Sequence, residues 1–332
     1  MTPDELIVAL QAENDGLSAV IRAMESSRSW RLTRPLRTVA AALRARTPGR
    51  VYRVAKRRST RHGGSMVVGM PPVPEGDPCP SVCAVVHAYY LEILPEIVRS
   101  LQRCGSLTNA LVTYPESGER ERYIRAVAPL VAAGVQVDLI AVENRGRDML
   151  PLALVAQRAL DTGAEVFIKV HTKRSPHLGE QGALWRAELI NGLLLDIDSV
   201  EHTVRFVGND TAFGFAVPIA RLGGTAHRGK NRAALSLLSR RAGLRVPRRL
   251  YFPAGGMYWC SRGWLETVAA LGLTADDFQA ELGQLDSTMA HALERLIGCY
   301  AATNNATIWV MGTPEGMPQP MAVDRLRVAL PR

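Results

Sequence analysis

The sequence is most unusual in where it lacks acid. Residues 26–74 contain no aspartate or glutamate, yet hold twelve lysines and arginines between Arg28 and Arg61. The net charge of +9 therefore belongs to a segment, since outside it 28 basic residues face 31 acidic ones, a net of −3. No apolar run approaches the ~20 residues needed to cross a bilayer. The opening Met1-Thr2-Pro3-Asp4-Glu5 lacks the basic-then-apolar order of a secretory signal. The five cysteines (79, 83, 104, 260 and 299) are odd in number and never spaced as C-x-x-C. That spacing argues against a disulfide framework or zinc site and points to reduced thiols in a cytoplasmic compartment. A nucleophile elbow, an H-E-x-x-H pair and a two-metal ligand series are also missing, which disfavours a hydrolase.

What is present is a globular balance: 47% apolar and 21% charged residues in a chain of 332, enough for one large or two ordinary domains. Residues 3–25 read as a short helix, with Leu6, Leu10, Leu17, Val20, Ile21 and Met24 at roughly helical spacing. The basic segment after it is broken at Pro35 and Pro48-Gly49. Its Trp30, Leu32 and Leu36 among arginines suit the interface of an anionic membrane, which makes residues 28–61 a candidate membrane contact. A solvated basic linker is the competing reading. Nucleic acid is not an expected partner, for want of a recognisable binding fold or aromatic interleaving. The expected organisation is a helical, basic N-terminal extension (1–61), a Gly- and Pro-rich flexible linker (62–80), an α/β domain (81–312) and a C-terminal tail (313–332).

From Ser81 onward, short apolar runs alternate with amphipathic stretches. Strands are expected at 81–87, 110–113, 135–142 and 165–170. Helices are expected at 92–103, 118–133 and 151–162. Such alternation implies a mainly parallel sheet with ligands at the carboxyl ends of its strands. Beyond Trp185 the pattern loosens: a helix over 183–197, a strand over 211–217, a basic loop and helix over 220–249, a strand over 250–260, and a helix over 286–300.

Several constellations could carry chemistry. Asn144-Arg145-Gly146-Arg147-Asp148 lies where a strand gives way to a helix. Backbone N–H groups there form an anion site, Gly146 permits close approach, and the two arginines could grip a diphosphate. The alternative is a structural loop with Asp148 as helix cap. Lys169, His171 and Lys173 alternate out of the next strand onto one face, a cationic set able to neutralise a leaving diphosphate. No Asp-x-Asp stands at that strand end, so metal independence is expected, with magnesium or manganese left open. Gly255-Gly256 followed by Tyr258-Trp259 offers close backbone and flat apolar faces to an acceptor sugar, and Trp185-Arg186, grouped with them as acceptor-binding candidates, could close over the donor. A packed strand with a bulge, and a tryptophan that merely anchors its helix, are the plainer readings. Asp286 opens an amphipathic helix and is the leading candidate base for an attacking hydroxyl, with a plain helix N-cap as the competing reading and Asp276, Asp277 and Glu281 in reserve. His291 and Glu294 fall on the outer face of that helix and are expected to be exposed.

Phe252-Pro253-Ala254-Gly255-Gly256-Met257-Tyr258-Trp259, Asp276-Asp277-Phe278 and Gly283–Arg295, with Glu143–Asp148 and Lys169–Lys173 upstream, resemble the rhamnan synthesis protein F family of bacterial polysaccharide glycosyltransferases. The resemblance spans roughly residues 81–312. It implies transfer of rhamnose or a related sugar from a nucleotide-sugar donor to a lipid-linked glycan, at the inner face of the plasma membrane and beside other polysaccharide-assembly proteins. More loosely, Ser81–Leu94 is similar to the opening of inverting GT-A-type transferases built on a single Rossmann-like domain. By that similarity His87 and Tyr90 would lie near the nucleotide base, Asn144–Asp148 and His171 near the phosphates, and Asp286 near the acceptor. A non-catalytic glycan-binding or scaffold module is the rival expectation, because fold does not fix function.

Overall fold

In the computed structural model, the described residues are 66–68, 79–172, 174, 181–209, 213–218, 222–223, 231–282, 284, 286–304 and 306–311. The 1–61 extension, most of the 62–80 linker and the 313–332 tail lie outside them. Every described residue belongs to one unit, Arg58–Arg332.

Strand β2 (Val82–His87) shows how the chain builds its core. Cys83 and Val85 point to one layer of helices, while Val82, Ala84 and Val86 point to the other. A strand buried on both faces reads as an unbroken apolar run, which is why this stretch is legible in the sequence. Helix α1 (Leu94–Leu101) comes after a 3-10 turn at Leu91–Ile93 and buries Leu94, Ile97, Val98 and Leu101, an i, i+3, i+4, i+7 stripe. Strand β3 (Leu107–Pro115), α2 (Arg120–Ala132), β4 (Gln136–Val142), α3 (Met149–Asp161) and β5 (Val166–His171) continue the alternation.

Beyond β5 the sequence is a poorer guide. Helix α4 (Gln181–Leu193) is succeeded by an unexpected second helix, α5 (Ile197–Asn209). After β6 (Phe213–Pro218), β7 (Leu222–Gly223) and α6 (Arg232–Arg241), the run expected as one strand at 250–260 divides. It forms β8 (Phe252–Pro253) and β9 (Tyr258–Ser261), parted by a turn in which Gly255 and Gly256 adopt φ of 97° and 68°. Only glycine takes two such values in succession without strain. Helix α7 (Arg262–Ala270) was not anticipated. Helix α8 (Met289–Asn304) begins three residues later than expected, and β10 (Thr307–Met311) closes the described chain. Met66–Val68, within the stretch expected to be linker, forms β1 and pairs in parallel with β10.

The main sheet has eight described strands in the order β1-β10-β6-β9-β5-β2-β3-β4. Every neighbouring pair is parallel except β5–β9 and β6–β9, so β9 alone among them runs against the rest. Helices α3, α6, α7 and α8 cover one face, and α1, α2, α4 and α5 the other. The fold is α/β, a mostly parallel mixed sheet flanked by helices. No helix among the described residues is long and apolar enough to cross a membrane.

Candidate active site

The chain leaves β2 towards β3 and β4, then returns to lay β5 on the other side of β2. Where strand order reverses in this way, the carboxyl ends part and leave a crevice. His87 ends β2, His171 ends β5, and the two are register partners across the pair. Thr172 fastens the exits: its N–H donates to His87 O at 2.9 Å, and its hydroxyl accepts from the Tyr90 N–H at 2.8 Å. His87, Lys169 and His171 share the parity of Cys83, Val85 and Phe167, so all three face the α3 and α8 layer. Because β9 is antiparallel, its start, and with it the Gly255-Gly256 turn, reaches the same edge, with Tyr258 opposite Lys169.

Asp148 is the centre of this corner. It precedes α3 directly, and its carboxylate takes the buried Lys169 ammonium as counter-ion while lying 3.4 Å from His171 Nδ1. The ammonium also donates to Gly256 O at 2.7 Å. Such a pair holds its place only when further hydrogen bonds satisfy the remaining protons, as that carbonyl does. His87 bonds Thr113 Oγ1 at 3.0 Å. Burial drives its imidazole down to about 4; Asp148 pulls the other way, and Lys169 adds to the fall. His87 is therefore neutral near pH 7.

The glycine turn links this corner to a second one. Gly255 N–H donates to Glu294 at 2.9 Å, Glu294 lies 3.2 Å from Arg295, and Arg295 lies 3.6 Å from Asp286. Asn231, the residue before α6, donates its amide to Asp286 and accepts the Ser287 N–H at 3.1 Å. Asp286 lies just before α8, whose first N–H, that of Met289, donates to Gln279 at 2.8 Å, while the N–H groups of His291 and Ala292 go to Thr288, whose hydroxyl also meets His291 Nδ1 at 2.7 Å. His291 is depressed to about 4, first by burial, then by Arg147 and Arg295; Asp286 and Asp148 oppose the shift. Both carboxylates thus act on one imidazole, which places the two corners in one electrostatic neighbourhood.

Several expected ligand contacts are occupied by the protein itself. Arg145 lies 2.9 Å from Glu143 and donates to the carbonyls of Ala275 and Phe278 at 3.2 and 3.4 Å. Arg147 bonds Gln284 O, and its N–H donates to Glu281 at 3.1 Å. The guanidiniums expected on a diphosphate therefore tie the 145–148 loop to the 275–284 segment. Gly146 is needed for packing: at φ 64°, a Cβ would stand 2.5 Å from the Phe278 ring. Tyr258 and Trp259, expected as sugar platforms, are 2% and 0% exposed. Consecutive strand residues point to opposite faces, and each enters a core. Trp264 donates to the Tyr258 hydroxyl, and Trp259 donates to Leu193 O, both at 3.0 Å. Gly255 and Gly256 bring backbone close to Glu294 and Lys169 rather than to an open surface. Arg186 pairs with Glu96 at 3.1 Å. Asn144 reaches the Tyr89 hydroxyl at 3.4 Å, and Tyr90 stacks under Arg174. Asp277 belongs to a capping box with Thr274, and Glu281 to the Arg147 contact. Lys173 and the Trp185 side chain lie outside the described residues.

His291 and Glu294 are not on an outer face. His291 is 8% exposed and Glu294 is half-buried, because α8 is covered almost all round. With Asn231 and Arg295 they are the polar groups that the sequence reading missed. The available signal was a helix apolar on every side of its charged residues, since a charge placed there must find a partner. An Asp-x-Asp string does occur at Asp196-Ile197-Asp198, but its place is wrong for the strand ends. Asp196 accepts the Ser199 N–H at 2.7 Å and feels Arg103, which lies between α1 and β3 at the amino edge of the sheet. Asp148 is already committed to Lys169, and no group of three or more His, Cys, Asp or Glu among the described residues is arranged to hold a metal ion.

Comparison with known proteins gives this arrangement a context. A family described as "Rhamnan synthesis protein F" matches residues 72–307. Two curated proteins of Xanthomonas campestris pv. campestris, from strains B100 and ATCC 33913, are 33% identical over 248 residues; both are called "Uncharacterized protein WxcX". The match takes in 72% of this chain but 35% of theirs, so the chain spans about a third of their length. Among solved structures, the mannosyltransferase PcManGT from Pyrobaculum calidifontis, in complex with GDP-Man and Mn2+, aligns with a TM-score of 0.40 and 14% identity. That alignment covers 76% of this chain and 62% of the other.

Proposed function

The chain belongs to the rhamnan synthesis protein F family, and from that premise we propose that it is a glycosyltransferase acting in polysaccharide synthesis. The observation that carries the proposal is the convergence of His87, Asp148 and His171 at the strand reversal, connected through the glycine turn to Asp286. The donor is a nucleotide sugar, with rhamnose or a related sugar to transfer. Its nucleotide lies against the ends of β2 and β5, and its diphosphate near His171 and the amino end of α3, where backbone N–H groups favour anions. The acceptor, a lipid-linked glycan, approaches from the side of Asp286.

Asp286 is the base in this scheme. Its side chain is 35% exposed, against 16% for Asp148 and 18% for Glu294, so it is the carboxylate of the network that an incoming hydroxyl can reach. It takes the proton as the acceptor oxygen attacks the anomeric carbon, and the bond to the diphosphate breaks with inversion. Asn231 and Arg295 fix the carboxylate in place. Residues 28–61 would add contact with an anionic inner-membrane surface.

The test is release of nucleoside diphosphate from a panel of nucleotide sugars in the presence of lipid-linked acceptor, with and without a chelator. Asp286→Asn is expected to lower turnover by about 100-fold or more, the usual weight of a general base. Wild-type turnover in that variant removes Asp286 from the role. If no nucleotide raises the melting temperature, the non-catalytic scaffold becomes the better account.

A further inference from the structure

A second stretch without acid lies inside the domain. Between Asp210 and Glu266 there is no aspartate or glutamate, while ten lysines and arginines occur. Six of the ten, Arg232, Arg240, Arg241, Arg245, Arg248 and Arg249, lie on α6 and the chain that leaves it. On α6, the exposed residues are Arg232, Ala233, Leu237, Arg240 and Arg241. At 100° per residue these fall within one half of the helix, and Leu235, Leu238 and Ser239 fill the buried half. The chain leaving α6 carries Arg245, Arg248 and Arg249, all exposed, with Val246 39% exposed among them. Leu237 is 51% exposed.

This surface adjoins the candidate base. Asn231 immediately precedes α6 and bonds Asp286, while Arg241 at the far end lies 3.4 Å from Asp277. Asp286 and Asp277 thus meet the two ends of the helix, and Leu282, between them in the sequence, is 83% exposed.

We propose that α6, the 245–249 turn and Leu282 form a docking surface for an anionic lipid bilayer. Clustered arginines meet lipid phosphates, and Leu237, Val246 and Leu282 enter the headgroup boundary. Nucleic acid fits less well, because no aromatic side chain interleaves the arginines of 232–249. The surface is distinct from residues 28–61. It would bring Asp286 to the plane where a lipid-linked acceptor presents its hydroxyl, and in that respect it rests on the function proposed above. Binding itself needs no turnover, so the two can fail separately.

The experiment is co-sedimentation of the full chain with phosphatidylcholine vesicles, with or without phosphatidylglycerol, across a salt series. Wild type should bind the anionic vesicles and release them as salt rises. A charge-reversed Arg240→Glu, Arg245→Glu, Arg248→Glu variant, with residues 28–61 intact, should partition at least about tenfold less. The matching three-lysine variant should bind like wild type, which separates charge from misfolding. Leu237→Ser with Leu282→Ser should weaken the binding left at high salt. Unchanged binding in the charge-reversed variant, loss in the lysine variant, or RNA competing as well as anionic vesicles would each overturn the proposal.

Discussion

At the scale of single residues, the site is governed by what a charge must have beside it once buried. Lys169 is 2% exposed and is held by Asp148 and Gly256 O. Lys169→Met leaves the Asp148 carboxylate without its counter-ion, and a cost of about 3–5 kcal/mol is expected in denaturant unfolding. His87 and His291 give the protein an acid-sensitive core. Both are depressed to about 4 in the folded state from an ordinary 6.5. The unfolded chain therefore takes up protons first as pH falls, and stability is complete above 6.5 and lost progressively between 6.5 and 4. For His87 alone this amounts to about 2–3 kcal/mol by pH 4.5. Unfolding curves at pH 7 and 4.5 should differ by at least that much, and His87→Gln should narrow the difference.

At the scale of elements, glycines decide where backbone passes. A Cβ on Gly256 would stand 2.8 Å from the Asp148 carboxylate and 2.9 Å from Met149, with φ at 68° besides. Gly256→Ala is expected to displace the Asp148–Lys169 pair, and so to cost both melting temperature and turnover. Gly298 lies within α8 where that helix presses on Tyr251 O, and its Cβ would overlap that carbonyl. Gly298→Ala should lower stability by about 1–3 kcal/mol while leaving the polar network in place. Thermal melts beside donor binding distinguish the two cases, since the Gly298 variant should keep its affinity.

At the scale of the whole molecule, β9 is the keystone. It is the antiparallel strand that joins β5, which carries the site, to β6 and the β10–β1 edge. Trp259 sits at its middle, pairs across both neighbours and bonds Leu193 at the end of α4. Trp259→Ala is expected to destabilise by about 3–5 kcal/mol, read as a lower denaturant midpoint.

The alternation from β2 to β5 was legible because each element carries its own period: apolar runs for strands covered on both faces, stripes for the helices on them. From that came the fold class, the position of Asp148 between a strand and the next helix, and that of Lys169 and His171 at the end of β5. Tyr258 and Trp259 were misread because alternation along a strand does not say whether helices cover both of its faces. Arg145, Arg147, His291 and Glu294 were misplaced for a related reason. Local spacing gives the direction of a charged side chain but not the carbonyl or carboxylate that another segment brings to meet it. From β2 to β5 local pattern sufficed to mark strand, helix and turn, since those choices depend on neighbours within a few positions. The fold in space set which charges neutralise one another and left Asp286 more exposed than Asp148 or Glu294, because electrostatic partners and burial depend on distance in space.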